Sequence, residues 1–281
     1  MHYNPWFDHS DKFSCSVIAD ISDCEQNLDW FLEFAQQMFD AEGIELIVVG
    51  KPADVSALAF GMEHASFLKV DSSSRLARYN AGAEIAHGES LVFIDADCVF
   101  ATPEPIEQLV AFSKIEGVGI SSPKLVYRDN RIKSFGVAVT SERVMPLYRG
   151  FERGASGYLS NLRVLQNASA TALQGLCVHR DAFERLGGFD EAFGPELGAV
   201  DFCRRIRDDG LRLVITPTVE LEVNELSPGD IFNRDINAPD YPPSEIARYD
   251  SKWPGDREMG DNYFNINLDQ ASNYFQLPPR K

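Results

Sequence analysis

The first half of the chain alternates between two spacings of apolar residues, and this alternation restricts the fold more than any other feature. Short runs rich in β-branched residues predict buried strands at residues 16–19, 44–49, 67–70 and 91–94. Apolar residues three and four positions apart predict amphipathic helices at residues 28–39, 76–85 and 102–112. Strands that alternate with helices imply βαβ units, so we predict an α/β chain with a mostly parallel central sheet flanked by helices.

The second half has a less regular pattern. Strands are predicted at residues 132–140, 173–179, 211–215 and 219–223, and helices at residues 181–186, 200–209 and 244–253. Residues 149–160 are polar and contain glycine, which is typical of a loop. Beyond Pro228 the chain is rich in Pro, Asn and Asp, so we expect an irregular C-terminal extension packed on the surface.

The composition argues against several classes of protein. Apolar residues make up 44% of the 281 positions, which is enough for a sizeable core. The net charge of −17 disfavours binding to nucleic acid or to an anionic membrane by charge. No apolar run approaches the ~18 residues of a membrane span, and the N-terminus does not resemble a signal peptide. Five cysteines without C-x-x-C spacing fit reduced thiols, so a cytoplasmic location is expected.

Two carboxylates follow the most apolar strand of the first half. Asp95 and Asp97, separated by one alanine, come directly after the run at residues 91–94. Ligands of parallel sheets bind beyond the carboxyl ends of the strands, and carboxylate oxygens are hard ligands for Mg²⁺ or Mn²⁺. A metal bound there would bridge the phosphates of a nucleotide. The alternative is that both aspartates only cap the next helix, and the pair alone does not decide between them.

A longer pattern lies in the second half. Residues 171–193 read TALQGLCVHRDAFERLGGFDEAF, and residues 200–217 read VDFCRRIRDDGLRLVITP. Together with the aspartate pair, this order and spacing resembles the family 2 glycosyltransferases of the GT-A fold, especially bacterial rhamnosyltransferase-like enzymes of polysaccharide biosynthesis. The resemblance implies a Rossmann-like GT-A domain at residues 1–228, with residues 229–281 as an extension packed on the same domain.

The resemblance also implies a chemistry. A nucleotide-sugar donor lies over the strand ends with its diphosphate on Mg²⁺ or Mn²⁺, and an inverting transfer moves the sugar to a glycan or lipid-linked acceptor. A carboxylate acts as general base. A partner subunit or a membrane-associated assembly is a further expectation. The positions that match the family's donor site are Asp20, Arg75, Arg78, Asp95, Gly175 and Arg180, and those that match its metal site are Asp95, Asp97 and Asn224.

Four departures from the family pattern put catalysis in doubt. Ala199 stands where the family has its presumed base, so the nearby Glu196 is the candidate base, expected in the loop before a helix. Asp201 is rotated by ~200° on that helix and is expected to face away. Asn224 stands in place of a histidine and is a weaker, neutral metal ligand. The segments after the first and second strands also lack the family's nucleoside-binding residues.

Two hypotheses therefore stay open. In the first, the chain is a working transferase with an altered donor pocket and a displaced base. In the second, it is a catalytically inactive GT-A-like domain that binds a glycan or a partner protein. A nucleotidyltransferase is less favoured, because residues 19–26 contain neither the glycine nor the lysine of a triphosphate loop.

Overall fold

The computed structural model describes residues 13–22, 31, 35, 43–58, 65–99, 102–224 and 240–279. Its strands are β1 Cys15–Asp20, β2 Ile44–Gly50, β3 Ser66–Lys69, β4 Ser90–Asp95, β5 Cys98–Val99, β6 Val118–Tyr127, β7 Ile132–Ser134, β8 Val137–Val139, β9 Val144–Pro146, β10 Gln166–Ala168, β11 Leu176–His179 and β12 Arg212–Val223. Its helices are α1 Pro52–Leu58, α2 Arg75–Glu84, α3 Glu104–Ser113, α4 Arg180–Arg185, α5 Pro195–Asp208 and α6 Pro243–Lys252. A 3₁₀ segment covers Tyr158–Arg163. The helix predicted at residues 28–39 lies outside the described residues, apart from Phe31 and Ala35.

Ten of these strands form one central sheet in the order β10-β12-β6-β11-β4-β1-β2-β3, with β5 beside β12 and β7 beside β6. Strands β3, β2, β1 and β4 are parallel, as the βαβ pattern predicts. Strand β11 is antiparallel to both β4 and β6, while β12 is parallel to β6. The carboxyl ends of β1, β4, β6 and β12 therefore lie at one edge of the sheet, and the carboxyl end of β11 lies at the opposite edge.

Helices cover both faces of this sheet, which confirms the predicted α/β class. One face packs against α1 and α3, and the other face packs against α2, α4, α5 and α6. Phe93 of β4 contacts Phe183 and Phe189, with ring centroids 5.2 and 4.8 Å apart. These rings fix α4 and the loop before α5 against the sheet, because large aromatic side chains bury much apolar area.

Strand β6 is the element that the sequence pattern does not indicate. Its segment contains Gly119, Ser121, Ser122 and Pro123, which interrupt the apolar run. Nevertheless every residue from Val118 to Tyr127 is buried. The Ser121 hydroxyl donates to the Leu109 carbonyl at 2.6 Å, and Ser122 Oγ bonds Thr171 Oγ1 at 2.5 Å. Hydrogen bonds to neighbouring elements thus remove the cost of burying the polar side chains.

Other boundaries differ from the sequence predictions for local reasons. The strand predicted at residues 132–140 is divided into β7 and β8, because Gly136 adopts a φ of +91° between them. The two strands predicted at residues 211–223 form the single strand β12 with an irregularity after Thr216. Helix α5 begins at Pro195, five residues before the predicted start, because Pro195 suits the first turn of a helix.

The described part of the C-terminal extension contacts the second half of the chain. The Trp253 indole donates to Asp201 Oδ1 at 2.9 Å, and Asp261 Oδ2 accepts from the Val139 amide at 2.7 Å. Ser169 Oγ donates to Asp261 Oδ1 at 2.7 Å. Among the described residues, no helix combines the length and the low polarity that a bilayer crossing needs.

Candidate functional site

The edge formed by the carboxyl ends of the parallel strands carries the acidic residues that the sequence singles out. Asp20 ends β1 and pairs in register with Asp95, which ends β4. Both side chains are buried. Asp97 follows in the turn between β4 and β5, and its carbonyl accepts from the Asn224 amide at 2.5 Å. The structure therefore brings Asp20, Asp95, Asp97 and Asn224 together.

Helix α2 places two arginines against these carboxylates. The helix begins at Arg75, where the Ser74 hydroxyl accepts from the Ala77 amide as a cap. Arg78 lies one turn later and binds Asp20 with two nearly parallel bonds, Nε to Oδ1 at 2.9 Å and Nη2 to Oδ2 at 2.7 Å. Such a two-pronged contact between a guanidinium and a carboxylate is strong and directional.

The predicted donor contacts of Asp20 and Arg78 do not agree with this geometry. Arg78 is only 2% exposed, and its Nη1 also donates to the Ser72 carbonyl at 2.8 Å. Asp20 accepts a further bond from the Ser22 amide at 3.1 Å. Because both groups are buried and already satisfied, they position their neighbours and do not face a ligand.

Arg75 is the arginine of this pair that faces outward. Its Nη1 donates to Asp95 Oδ2 at 2.9 Å and its Nε lies 3.3 Å from Asp20 Oδ2, while a quarter of the side chain (26%) stays exposed. Burial opposes its charge, but Tyr79, Asp95, Asp20 and Glu196 outweigh that effect and raise the pKa of Arg75. A permanent, partly exposed cation is thus fixed beside Asp95.

Asp95 has one carboxylate oxygen that accepts hydrogen bonds and one that has no described hydrogen-bond partner. Oδ2 accepts from Arg75 and, at 3.3 Å, from Gln174 Nε2. Oδ1 is buried and has no hydrogen-bond partner among the residues that the structure describes. Gln174 was not singled out from the sequence, although it directly precedes Gly175 inside the longer motif, and that position was the signal that could have found it.

The groups behind Asp95 are also buried. The Tyr79 hydroxyl donates to the Ile94 carbonyl at 2.6 Å, which fixes α2 against β4. Burial, followed by the charge of Asp95, raises the pKa of Tyr79 and of the Cys98 thiol well above their ordinary values. Both groups are therefore neutral and leave the carboxylate as the charged group of this part of the edge.

The side-chain oxygens at this edge fit a divalent ion only if a bound ligand adds oxygens of its own. Within the described ranges, no group of three or more His, Cys, Asp and Glu side chains is arranged to hold a metal. Mg²⁺ is often held by one or two carboxylates plus substrate phosphates and water, and Asp95 Oδ1 with Asp97 meets that need. Asn224 does not add a free oxygen, because its Oδ1 accepts from Arg128 Nη1 at 2.8 Å. The role of Asn224 as a metal ligand therefore stays a prediction.

Gly175 has a structural explanation. Its φ of +75° suits glycine, and a Cβ atom there would lie 2.5 Å from Pro123 Cγ. Its amide donates to the Phe93 carbonyl at 2.7 Å and so is not directed at a ligand. The predicted donor contact of Gly175 is thus replaced by a role in bringing Gln174 to Asp95.

Arg180 lies at the opposite edge of the sheet. It follows β11, whose last residue His179 pairs with Ser90 at the start of β4. Its Nη1 contacts the Ala86 carbonyl at 3.4 Å and lies 3.8 Å from Glu184. Arg180 thus lies away from the edge that carries Asp95, because β11 runs antiparallel to β4, and its contact with a donor phosphate stays a prediction. The same edge carries a polar cavity of about 710 Å³ that is lined in part by Arg207 and Arg212.

Glu196 lies in the first turn of α5 and is exposed, rather than in a loop before the helix. Its charge is among those that raise the pKa of Arg75, and it adds to the larger effect of burial on the pKa of Tyr241. Ala199 is three residues later on the same helical face and is fully buried. At Gly198, a Cβ atom would lie 2.3 Å from Leu76 Cδ1, so α5 packs directly on α2.

Asp201 holds the extension against α5. Its carboxylate is fully buried and accepts from Arg205 Nε at 2.9 Å, from the Trp253 indole at 2.9 Å and from Lys252 Nζ at 2.8 Å. A carboxylate with three donors is satisfied in place and has no free oxygen for a substrate proton. These contacts are structural, in agreement with its predicted orientation away from the site.

Comparison with known proteins gives distant relatives. No family model matches the chain. It is 30% identical over 151 residues to the uncharacterized protein y4gI of Sinorhizobium fredii (strain NBRC 101917 / NGR234), across 52% of this chain and 16% of that protein. It is 29% identical over 144 residues to the O-antigen biosynthesis protein RfbC of Myxococcus xanthus, across 50% of this chain and 11% of that protein. The chain thus spans less than a fifth of either relative.

Solved structures give a similarity over more of the chain. The mannosyltransferase PcManGT of Pyrobaculum calidifontis, in complex with GDP-Man and Mn²⁺, superposes with a TM-score of 0.54 at 17% identity, over 83% of this chain and 62% of that one. GalNAc-T7 with UDP, GalNAc and Mn²⁺ gives a TM-score of 0.55 at 14% identity, over 77% and 46%. The chain has the GT-A fold.

Within this GT-A fold, the described residues assemble a polar edge with a defined chemistry. Asp95 Oδ1 is a buried carboxylate oxygen without a described hydrogen-bond partner, Arg75 is a fixed cation, and Glu196 is an exposed carboxylate. A guanidinium can bind an anion, and a nearby carboxylate can accept a proton, so one edge can do both. The burial of Asp20 and Arg78 keeps Arg75 and Asp95 in position.

Proposed function

We propose that this chain is a glycosyltransferase domain that moves a sugar from a nucleotide-sugar donor to a glycan or lipid-linked acceptor in polysaccharide biosynthesis. The observation that carries the proposal is the unpartnered Oδ1 of Asp95, buried beside Arg75 at the ligand-binding edge of a GT-A sheet. The two similar solved structures contain GDP-Man or UDP together with Mn²⁺, and RfbC is named for O-antigen biosynthesis. These ligands and this name support a nucleotide-sugar donor and a role in polysaccharide biosynthesis.

The donor half of the mechanism rests on Asp95, Asp97 and Arg75. Asp95 Oδ1 and Asp97 would hold Mg²⁺ or Mn²⁺, which when bound stabilises the negative charge that develops on a leaving diphosphate. Arg75 would supply a second positive charge beside Asp95, and part of its side chain is exposed to solvent. Asp20 holds Arg75 from behind, so the guanidinium is oriented before a ligand arrives.

The acceptor half rests on Glu196. In an inverting transfer, the acceptor hydroxyl attacks the anomeric carbon as the bond to the diphosphate breaks, and the hydroxyl proton passes to a carboxylate. We propose Glu196 as that base, one helical turn before the position of Ala199. General-base catalysis of this kind contributes ~10²–10⁴-fold to the rate. Its electrostatic effect on Arg75 supports a location beside the donor site.

The deciding experiment is calorimetric titration of the whole chain with UDP, GDP and dTDP, with and without Mn²⁺. We expect one nucleotide to bind in a Mn²⁺-dependent manner and the Asp97→Ala variant to lose that binding. Asp181→Ala is the matched control, because Asp181 is exposed at the opposite edge of the sheet. Failure of all three nucleotides to bind would reject the donor site.

The second hypothesis, an inactive domain that binds a glycan or a partner protein, is favoured by one observation. Gly198 and Ala199 replace polar residues of the family pattern and pack α5 against Leu76, which leaves no room for a side chain at Gly198. Turnover separates the hypotheses in a protein that binds nucleotide. The Glu196→Gln variant should lose about 10²-fold or more in rate, while Glu184→Gln at the opposite edge should not. Equal rates would eliminate Glu196 as the base.

A further inference from the structure

The charges of this acidic protein are unevenly distributed along the chain. Residues 124–163 contain eight of the 26 basic side chains but only three of the 43 acidic ones. This segment therefore has a net charge of +5, whereas the rest of the chain has −22. A positive segment in a strongly acidic protein attracts anions locally against the overall charge. It runs from the second half of β6 to the 3₁₀ segment.

Four cations of this segment form what we call the basic rim, defined as Lys124, Arg128, Arg149 and Arg153. Lys124 and Arg153 share the single carboxylate of Glu220. Lys124 Nζ contacts Glu220 Oε1, and Arg153 Nε donates to Oε2 at 2.7 Å. Two cations on one carboxylate leave one positive charge uncompensated. Glu222, two residues further along the same face of β12, is the nearest additional acid by register.

The other two cations are also incompletely compensated. Arg128 is exposed, and its Nη1 donates to the neutral Asn224 Oδ1 at 2.8 Å. Arg149 Nη1 donates to Asp240 Oδ1 at 3.0 Å, and Asp240 also binds Arg143. The Nε of Arg149 is buried and has no hydrogen-bond partner within the described part of the chain. A buried guanidinium N–H without an acceptor is costly, so an acceptor from a ligand would stabilise it.

The sheet register brings the basic rim to the same edge as Asp95. Cys177 of β11 pairs with Val92 of β4 and with Ser121 of β6, so Lys124 lies level with Asp95, two strands away. That is roughly 10 Å at the usual strand spacing. Arg128 is linked to the turn that contains Asp97, because Arg128 donates to the Asn224 side chain and the Asn224 amide donates to the Asp97 carbonyl. Arg149, Asp240 and Glu196 all act electrostatically on the same buried side chain, Tyr241.

The rim is separate from the arginine at the donor side. Arg75 projects from α2, which covers β1 and β2, whereas the rim residues belong to β6, the turn after it and the loop that follows β9. In a transferase the donor and the acceptor approach the base from different sides. Because the rim lies two strands from Asp95 and apart from Arg75, we assign it to the acceptor.

We propose that the basic rim binds an anionic group, a carboxylate or a phosphate, on the acceptor saccharide. Guanidinium groups match the paired oxygens of both groups. That the bound saccharide is the acceptor rests on the proposed function. The anion site itself is inferred from the charges and contacts of the rim. It adds a substrate class: an acidic or phosphorylated saccharide rather than a neutral one.

The experiment compares three small saccharides by saturation-transfer NMR on the whole chain at constant ionic strength. The probes are methyl glucuronide, glucose 1-phosphate and the neutral methyl glucoside. We expect at least one anionic probe to bind about tenfold more tightly than the neutral one, which corresponds to ~1.4 kcal/mol. The two anionic probes distinguish a carboxylate from a phosphate site. The preference should be lost in Arg149→Gln and retained in part in Arg149→Lys.

The control variant is Arg212→Gln, since Arg212 is an exposed arginine at the opposite edge of the sheet. Equal binding of charged and neutral probes, no binding of any probe, or a preference that survives Arg149→Gln would each overturn the proposal. A preference lost in Arg212→Gln instead would assign the anion to the other edge and also overturn it. The nucleotide titration on the same samples keeps the two proposals apart: nucleotide binding without an anionic preference rejects only the rim, and an anionic preference without nucleotide binding rejects only the transferase.

Discussion

Two clusters of charged side chains near one edge of the sheet differ in how their charges balance. The Asp20 cluster, defined as Asp20, Arg75, Arg78 and Asp95, pairs two cations with two carboxylates. The Glu220 cluster, defined as Lys124, Arg153 and Glu220, pairs two cations with one carboxylate. The Asp20 cluster is almost entirely buried, whereas the Arg153 side chain is 40% exposed.

Burial explains why the balance differs. A charge removed from water costs several kcal/mol unless a partner and hydrogen bonds compensate it, so a buried cluster has to be neutral. A cluster in contact with water is screened and tolerates an excess of one sign. The Asp20 cluster therefore fixes the geometry of the edge, while the Glu220 cluster retains charge that is available to a ligand.

The largest effect is expected from breaking the buried pair. Replacing Asp20 with Asn leaves Arg78 buried beside a neutral amide and should lower the free energy of unfolding by about 3–5 kcal/mol. Glu220→Gln is the matched control and should cost about 1 kcal/mol or less, because Glu220 and its partner Arg153 are partly exposed to water. Urea denaturation followed by circular dichroism measures both. Similar losses in the two variants would contradict the distinction between the clusters.

The outer arginine of each cluster sharpens the comparison. Arg75→Gln removes the cation from Asp95 but leaves Arg78 on Asp20, so we expect a loss of about 2 kcal/mol in unfolding free energy. Arg153→Gln should cost under about 1 kcal/mol, because Lys124 stays on Glu220. The same denaturation series gives both values. A larger loss for Arg153→Gln would show that the Glu220 cluster is the structural one.

Much of the parallel half of the fold could be predicted from its sequence. The strands β1, β2, β3 and β4 lie within one or two residues of the predicted runs, because strands buried on both faces have few polar interruptions. The Asp95–Asp97 pair is at the predicted strand end for the same reason. The similarity to GT-A structures confirms the fold implied by the longer motif, while assignment to family 2 stays a prediction.

The rest depends on contacts between distant residues, which no local pattern reports. Strand β6 contains serines and a proline whose burial is compensated by partners on α3 and near β11. The position of Arg180 at the opposite edge cannot be predicted, because nothing local indicates that β11 is antiparallel. Arg78 and Arg75 are one turn apart on the same helix and look equivalent in sequence, yet both bind Asp20 and only Arg78 is buried.

The smallest expected effect is a pH dependence of the Glu220 cluster. Burial alone would raise the pKa of Glu220, but hydrogen bonds from Lys124 and Arg153 outweigh it and lower that pKa in the folded protein. A lowered folded pKa stabilises the protein above the unfolded value of ~4.3, and this stabilisation is lost as the pH falls through the folded pKa. The difference in unfolding free energy between wild type and Glu220→Gln should thus be constant, at up to ~1 kcal/mol, above about pH 5 and shrink below about pH 4. A difference that grows on acidification would mean that burial dominates and that Lys124 and Arg153 do not compensate Glu220.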